Sequence, residues 1–242
     1  MKQSIGDWAL IQQTVSWGIT LTPHQLSQLE RYLERLYETN QQFNLTRVPP
    51  EQTVGRHIID SLCLLAVAEF AEGARLLDIG TGAGLPGIPL AIVRPDLQVT
   101  LLDSHAKSVR FLEQVCQELG LKAIAIHARA EEWAHNSAVR EGFDSVVARA
   151  VAKMPVLAEL MLPFLKVGGT ALALKSIHEH DEVLSAHKAV EQLGGQLCLH
   201  EVPIQAEQGT LTRLIARITK THPTPSAYPR RWSLITKHPL HE

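Results

Sequence analysis

One stretch constrains the chain more than any other: Leu76-Leu77-Asp78-Ile79-Gly80-Thr81-Gly82-Ala83-Gly84-Leu85-Pro86-Gly87. An apolar run ends near an acidic residue and enters a loop with glycine at every second position. Ile88, Leu90, Ala91, Ile92 and Val93 follow. The pattern predicts a strand, a tight turn and a helix beginning at Pro86, where the N–H that proline lacks would go unpaired anyway. Glycine admits positive φ and lets a ligand approach the backbone without meeting a Cβ. The free N–H groups of the helix start would then face that ligand. Gly80 and Gly82 are the loop residues expected against it.

The rest of the chain divides around this stretch. Residues 1–72 read as an N-terminal helical segment. Ser4 is a candidate cap for a short helix carrying Ile5, Trp8, Ile11 and Val15, with Gly18 as its stop. Thr22-Pro23-His24-Gln25 has the composition of a capping box with proline at the first position. Leu26, Leu29, Leu33 and Leu36 then form one apolar stripe. A third helix is expected after Pro49-Pro50, with Val54, Ile58, Leu62 and Leu65 facing inward and Arg56, His57, Asp60 and Ser61 on its other sides.

Residues 73–220 alternate between strand and helix. Strands are predicted at 75–79, 98–103, 123–127, 145–149, 170–175, 197–203 and 211–219. Helices are predicted at 86–93, 106–119, 155–165 and 179–193. Such alternation implies a mostly parallel, doubly wound α/β sheet with helices on both faces. The connection between the last two strands is too short for a parallel crossover, so that pair is expected to be antiparallel. Residues 221–242 form a basic, proline-containing tail with little apolar periodicity.

Composition narrows the function classes. With 242 residues there is ample chain for a core. The formal net charge of -2 gives no global basic field, so a nucleic-acid partner has to be held by a local patch. Cys63, Cys116 and Cys198 are scattered without CxxC spacing, which argues against a disulfide framework and a thiolate metal site. His178 and His180 lie two apart at a helix start and point to different sides, so no metal is expected. The N-terminus lacks the apolar run of a signal peptide, and no stretch has the length of a membrane span. A cytoplasmic protein without a membrane partner is expected, acting as a monomer.

Three occupants compete for the glycine loop: S-adenosylmethionine, NAD, or none, the glycines then serving only close packing. Gly82 to Gly87 satisfies GxGxxG, a weak signal for a dinucleotide by itself. Asp78 two residues before Gly80 gives the D-x-G-x-G-x-G arrangement of methyltransferases, and the reversed final hairpin points the same way. Asp103 ends the second strand, where a carboxylate can accept from both ribose hydroxyls; its alternative is to cap the following helix. Ala130 and Glu131 follow the third strand, where an adenine pocket lies. Glu131 is a candidate partner for the adenine amino group, or else an exposed acidic residue favourable to a helix start. Arg149, at the exit of the fourth strand, is a candidate for positioning cofactor or base.

That exit carries no Asn-Pro-Pro or Asp-Pro-Pro motif and no nucleophilic cysteine. A ring nitrogen such as guanine N7 needs neither, because its lone pair is already exposed. Arg56, His57, Lys107, Lys153, Lys175, Arg230 and Arg231 are candidate RNA contacts. Of these the basic residues Arg56, Lys107, Lys153, Lys175, Arg230 and Arg231, together with Arg47, Arg110 and Lys237, show no acidic partner in the sequence.

The assembled motifs resemble those of the bacterial 16S rRNA guanine-N7 methyltransferase family, RsmG (earlier GidB). The resemblance is carried by Phe43-Asn44-Leu45-Thr46, Arg56 to Leu62, Asp78 to Leu90, Leu101 to Ser104 with Lys107, Arg110-Phe111-Leu112 and Phe143 to Ala150. Tyr228 to Arg231 and Lys237 to Leu240 extend it into the tail. It implies a class I S-adenosylmethionine-dependent methyltransferase fold, Rossmann-like, with a seven-stranded sheet and an antiparallel last strand. It also implies methylation of N7 of the guanine at position 527, in the decoding-region loop of 16S rRNA. The partner would be that RNA or the small ribosomal subunit. The cofactor contacts it implies are Gly80, Leu85, Ala130, Glu131 and Arg149, with Asp103 at the ribose. The alternatives are a class I methyltransferase acting on another RNA or a small molecule, or an NAD-binding enzyme. Two departures stand out: Lys175-Ser176 where the family often has Lys-Gly, and Ser233-Leu234-Ile235 where its tail often reads Gly-Thr-Pro.

Overall fold

The computed structural model describes residues 6–240. Seven strands, β1 (Arg75–Ile79), β2 (Gln98–Asp103), β3 (Ile124–His127), β4 (Phe143–Arg149), β5 (Leu165–Ser176), β6 (Gly195–Ala206) and β7 (Gly209–Lys220), form one sheet in the order β3-β2-β1-β4-β5-β7-β6. β1 to β5 run parallel, and β7 is antiparallel to both β5 and β6. The expected reversed hairpin is present: β7 slots between β5 and β6 after a turn at Glu207-Gln208.

Period-two alternation builds two cores. Leu76, Leu101, Val147 and Leu172 face one side, and Leu77, Leu102, Val146 and Ala171 the other. The first side receives α1 (Pro23–Asn40), α3 (Gly87–Val93) and α4 (Ala106–Leu119). The second receives α6 (Met154–Met161) and residues around the short helices α7 (His180–Leu184) and α8 (His187–Gln192). The predicted single helix over 179–193 is thus two pieces, interrupted at Ser185-Ala186. Two further short helices are α5 (Ala130–Trp133) after β3 and α9 (Trp232–Lys237) in the tail.

The N-terminal residues share the first core rather than merely preceding it. The capping box at Thr22 and Gln25 forms. The Gln25 side chain also donates to the Ile92 and Val93 carbonyls at 3.1 and 3.0 Å, and Gln28 donates to Leu119 O at 2.8 Å. Helix α1 thereby satisfies the otherwise orphaned carbonyl ends of α3 and α4. Tyr32, buried in the same helix, donates its hydroxyl to Ala83 O at 2.9 Å, which ties α1 to the glycine loop. The short helix Trp8–Trp17 is 3-10 in form. Asp7 caps it, and Gly18 ends it in the left-handed conformation at φ 76. Ser4 and Ile5 lie outside the described residues.

The segment after Pro50 differs most from its sequence pattern. It is π-helical at Val54–Ile59, α-helical over the single turn α2 (Asp60–Leu62) and 3-10 at Cys63–Ala66. The wider π turn changes which residues share a face. His57, Asp60 and Ser61, expected on the outer sides, are buried along with Ile58 and Leu62; only Arg56 stays exposed. This irregular helix lies beside the carboxyl ends of the strands and brings polar side chains into the site.

Candidate active site

The glycine loop is held from below by Asp78. Its Oδ2 accepts from Thr81 Oγ1 at 2.6 Å and from Gly87 N at 2.8 Å, while Oδ1 is buried without a partner. Burial pushes the Asp78 carboxyl up to about 7 against these two bonds. Gly80 at φ 64 packs so tightly on the loop after β4 that a Cβ there would come within 2.8 Å of Val151. Gly84 at φ 97 has the same need, with Ile88 and Leu112 in the way of any Cβ. The loop is therefore shaped from both sides: Asp78 fixes its ends and the missing side chains let its neighbours close in.

Asp103 closes the loop from the β2 side. Oδ2 accepts from Gly82 N at 2.8 Å, and Oδ1 accepts from His105 N at 2.8 Å. The carboxylate thus supports the start of α4 as well as the loop; Oδ2 keeps a second lone pair, while the exposed His105 ring places its Nδ1 3.0 Å from Oδ1. A cavity of about 380 Å³ opens beside it, lined by Gly80, Asp103, Ala130 and Glu131 among others. Glu131 is buried rather than exposed in a helix start, and it accepts from Arg129 Nε at 2.5 Å. Gly80, Asp103, Ala130 and Glu131 therefore meet at one place, with Gly82 bonded to Asp103. Leu85 sits elsewhere: its side chain is packed into the core beneath the loop.

A second cavity, of about 640 Å³, lies on the other side of Val151, which lines both. Arg149 lines this one and not the smaller one. Its guanidinium donates to Asp60 Oδ2 at 3.0 Å and to Arg56 O at 3.1 Å. Arg213, which no sequence pattern singled out, donates to the other oxygen of Asp60. It comes to the site through strand register, since antiparallel pairing sets Arg213 opposite Ser176 at the end of β5. Next to Arg149, Ala150 takes φ 55, an uncommon conformation for a residue with a Cβ, and turns the chain along the cavity wall.

His57 lines the same cavity with its ring locked. Nδ1 lies 3.0 Å from the Arg56 carbonyl, which can only accept, so Nδ1 carries the proton. Nε2 therefore accepts from the Thr46 hydroxyl at 2.8 Å. Asn40 holds Thr46 in turn, by accepting from its N–H and donating to its carbonyl. Burial and the positive charge of Arg149 push the His57 imidazolium down to about 3.

The basic candidates separate by geometry. Arg56, Lys107, Lys153 and Arg231 are exposed, as is Arg47 on the rim of the larger cavity. Lys175 and Arg230, expected without acidic partners, have them. Buried Lys175 reaches Glu179 and Glu182, each at 3.2 Å, and Arg230 forks onto the fully buried Glu159. Glu159 lies 71 positions from Arg230, so no local spacing reveals the pair. Among the described residues, no group of three or more His, Cys, Asp or Glu is arranged to hold a metal ion, and no helix is long and apolar enough to cross a membrane.

A family described as rRNA small subunit methyltransferase G, GidB, has a model that matches residues 25–208. The chain belongs to this family of rRNA methyltransferases. Ribosomal RNA small subunit methyltransferase G of Geobacillus thermodenitrificans is 44% identical to it over 226 residues, covering 92% of this chain and 94% of that one. The methyltransferase G of Lactobacillus delbrueckii subsp. bulgaricus is 41% identical over 236 residues, covering 96% and 98%. Among solved structures, precorrin-6y C5,15-methyltransferase from Geobacter metallireducens GS-15 aligns with a TM-score of 0.51 at 13% identity, over 73% of this chain and 92% of that one. The resemblance read from the motifs holds, and the methyltransferase has the class I fold expected of it.

Proposed function

We propose that this methyltransferase takes its methyl group from S-adenosylmethionine and delivers it to N7 of the guanine at position 527 in 16S rRNA. The observation that carries the choice of atom is the state of the acid–base groups around the larger cavity. Asp60 is shared between Arg149 and Arg213. Glu179 accepts from Lys175 and from Ser176 N. The one basic nitrogen of His57 is occupied by Thr46. Each of these three is already paired or hydrogen-bonded in place, and an acceptor suited to such a wall is one that has no proton to lose. Guanine N7 is that kind of acceptor.

The smaller cavity fits the nucleoside end of the donor. Asp103 offers the open lone pair of Oδ2 to one ribose hydroxyl, and Oδ1 to the other once the exposed His105 ring turns off it; Glu131 stands farther along the wall, and Gly80 puts bare backbone beside them. Gly82, bonded to Asp103, and Leu85 beneath the loop act by shaping it. When bound, S-adenosylmethionine supplies a methyl carbon on a positively charged sulfur, and its transfer to N7 leaves S-adenosylhomocysteine and a cationic N7-methylguanine. The chain's own part is alignment, which can lower a barrier by up to roughly 7–11 kcal/mol. Arg149, fixed by Asp60 on the wall of the larger cavity, is the positioning group there.

The substrate's shape follows from the same reasoning. In a regular A-form helix N7 lies in a groove too deep and narrow for side chains, so the target guanine is in an irregular loop or turned outward. Exposed Arg47, Arg56, Lys107 and Lys153 surround the carboxyl end of the sheet and suit phosphates, supplying the local patch that a net-acidic chain requires.

Incubation with methyl-tritiated S-adenosylmethionine and small subunits lacking the mark tests this reading. The label is expected in N7-methylguanosine after digestion of the 16S rRNA. Label in another nucleoside refutes the atom, and subunits that take up no label refute the substrate.

A further inference from the structure

The tail, residues 221–240 of the described chain, is strapped to the α6 face by more bonds than a loose extension needs. Arg140 donates to the carbonyls of Thr224, Pro225 and Tyr228 at 3.0, 3.1 and 2.8 Å. His135 Nε2 meets Pro229 O at 2.9 Å. Arg230 gives three hydrogen bonds to Glu159, from its N, Nε and Nη2, and Glu159 is fully buried on α6. Helix α9 then lies on α6 through Ile235, which is fully buried in a cluster with Val156 and Leu160.

This strapping carries one large side chain to the donor cavity. Trp232 opens α9 and lines that cavity together with Asp103, Ala130, Glu131 and Leu160. It remains 39% exposed, so packing alone does not account for its position. Arg129 holds it: the guanidinium sits 5.3 Å from the ring centroid while its Nε bonds Glu131. An indole pinned through a guanidinium at the open side of a cavity is a ready stacking platform for a purine.

We propose that Trp232 forms the outer wall of the donor cavity and stacks on the adenine ring of the bound methyl donor, so that the C-terminal tail is part of the donor site. The inference rests on the reading of this cavity as the donor site. Asp103 lies toward the β1 and β2 side, and Glu131 and Trp232 lie toward α5 and α9. A nucleoside with its ribose on Asp103 therefore extends its base toward the indole.

Calorimetric titration of S-adenosylhomocysteine and 5′-methylthioadenosine into wild type, Trp232→Ala and Trp232→Phe tests it. The second ligand keeps adenine and ribose and lacks the amino-acid end. Trp232→Ala is expected to raise both Kd values about tenfold or more, within the range of base–aromatic stacking. Trp232→Phe keeps an aromatic face and is expected to stay within about threefold of wild type. Binding of S-adenosylhomocysteine should also quench tryptophan fluorescence in wild type, and this quench should be lost in Trp232→Phe, a change that a merely structural role would not produce. A Kd for Trp232→Ala within about twofold of wild type overturns the proposal. So does a loss seen with S-adenosylhomocysteine but not with 5′-methylthioadenosine, which would move the indole away from the adenine. Failure of the wild type to bind either ligand would overturn the donor reading itself, a separate result.

Discussion

The buried carboxyl of Asp78 makes stability depend on pH in a direction opposite to that of a salt-bridged carboxylate. Asp78 is fully buried, and its value rises from 3.8 to about 7. Between those values the folded chain holds a proton that the unfolded chain has released. Stability from this group is therefore fully present below pH 3.8 and is lost as pH rises through 7. Each pH unit well inside that window costs about 1.4 kcal/mol and the slope fades near 7, so about 2.3 kcal/mol is lost between pH 5 and pH 7 and about 2.7 kcal/mol by pH 8.5. Asp78→Asn removes the titration and little else. The amide oxygen can accept from Thr81 and Gly87 as Oδ2 does, and the NH2 falls where Oδ1 has no partner. Urea unfolding of both proteins, followed by circular dichroism from pH 5 to pH 8.5, isolates the term, because other titrating groups cancel in the difference. Wild type minus Asp78→Asn is expected to fall by about 2.3 kcal/mol from pH 5 to 7 and to flatten at about 2.7 kcal/mol by pH 8.5. A difference that stays flat throughout, or rises with pH, refutes the reasoning.

Other substitutions probe the rest of the site. Asp103→Ala removes the proposed ribose acceptor and frees Gly82 N, and should weaken S-adenosylhomocysteine binding by about 3 kcal/mol, two charge-assisted bonds' worth at the lower estimate; calorimetry showing unchanged affinity would sink the ribose assignment. Asp60→Ala leaves Arg149 and Arg213 facing each other without their shared carboxylate, and urea unfolding should show a loss of about 3 kcal/mol; an unaltered midpoint would contradict the clamp. Tyr32→Phe leaves the buried Ala83 carbonyl without its hydroxyl donor and should cost about 1 kcal/mol by the same measurement. If exposed Arg47 and Arg56 neutralise phosphates, each change to Ala should lower the slope of log affinity against log salt for 16S rRNA by about 0.7 to 0.9; parallel slopes would place them off the RNA.

Much of the architecture was legible because its causes are local. The strand–loop–helix at Asp78 to Val93 follows from apolar runs and glycine spacing, and the capping box at Thr22 from residues within one turn. The antiparallel ending follows from a connection too short for a crossover. The irregular helix at 54–66 was misread because the pattern assumes 3.6 residues per turn, whereas π geometry turns His57, Asp60 and Ser61 inward. Lys175 and Arg230 looked unpaired because one partner lies around a helix start and the other 71 positions away. Arg213 and Trp232 had no sequence signal at all. One depends on β5–β7 register, and the other on a tail whose course is set by Arg140 and Glu159.

Chemical mapping of the methylated base tests the central claim most directly. Small subunits lacking the mark are methylated with this enzyme and S-adenosylmethionine; their 16S rRNA is then reduced with borohydride and cleaved with aniline, which cuts the chain at N7-methylguanine. The expected result is one new, enzyme-dependent cut at the guanine at position 527. Methyl transfer with no cut there, or with the cut at another guanine, would contradict it.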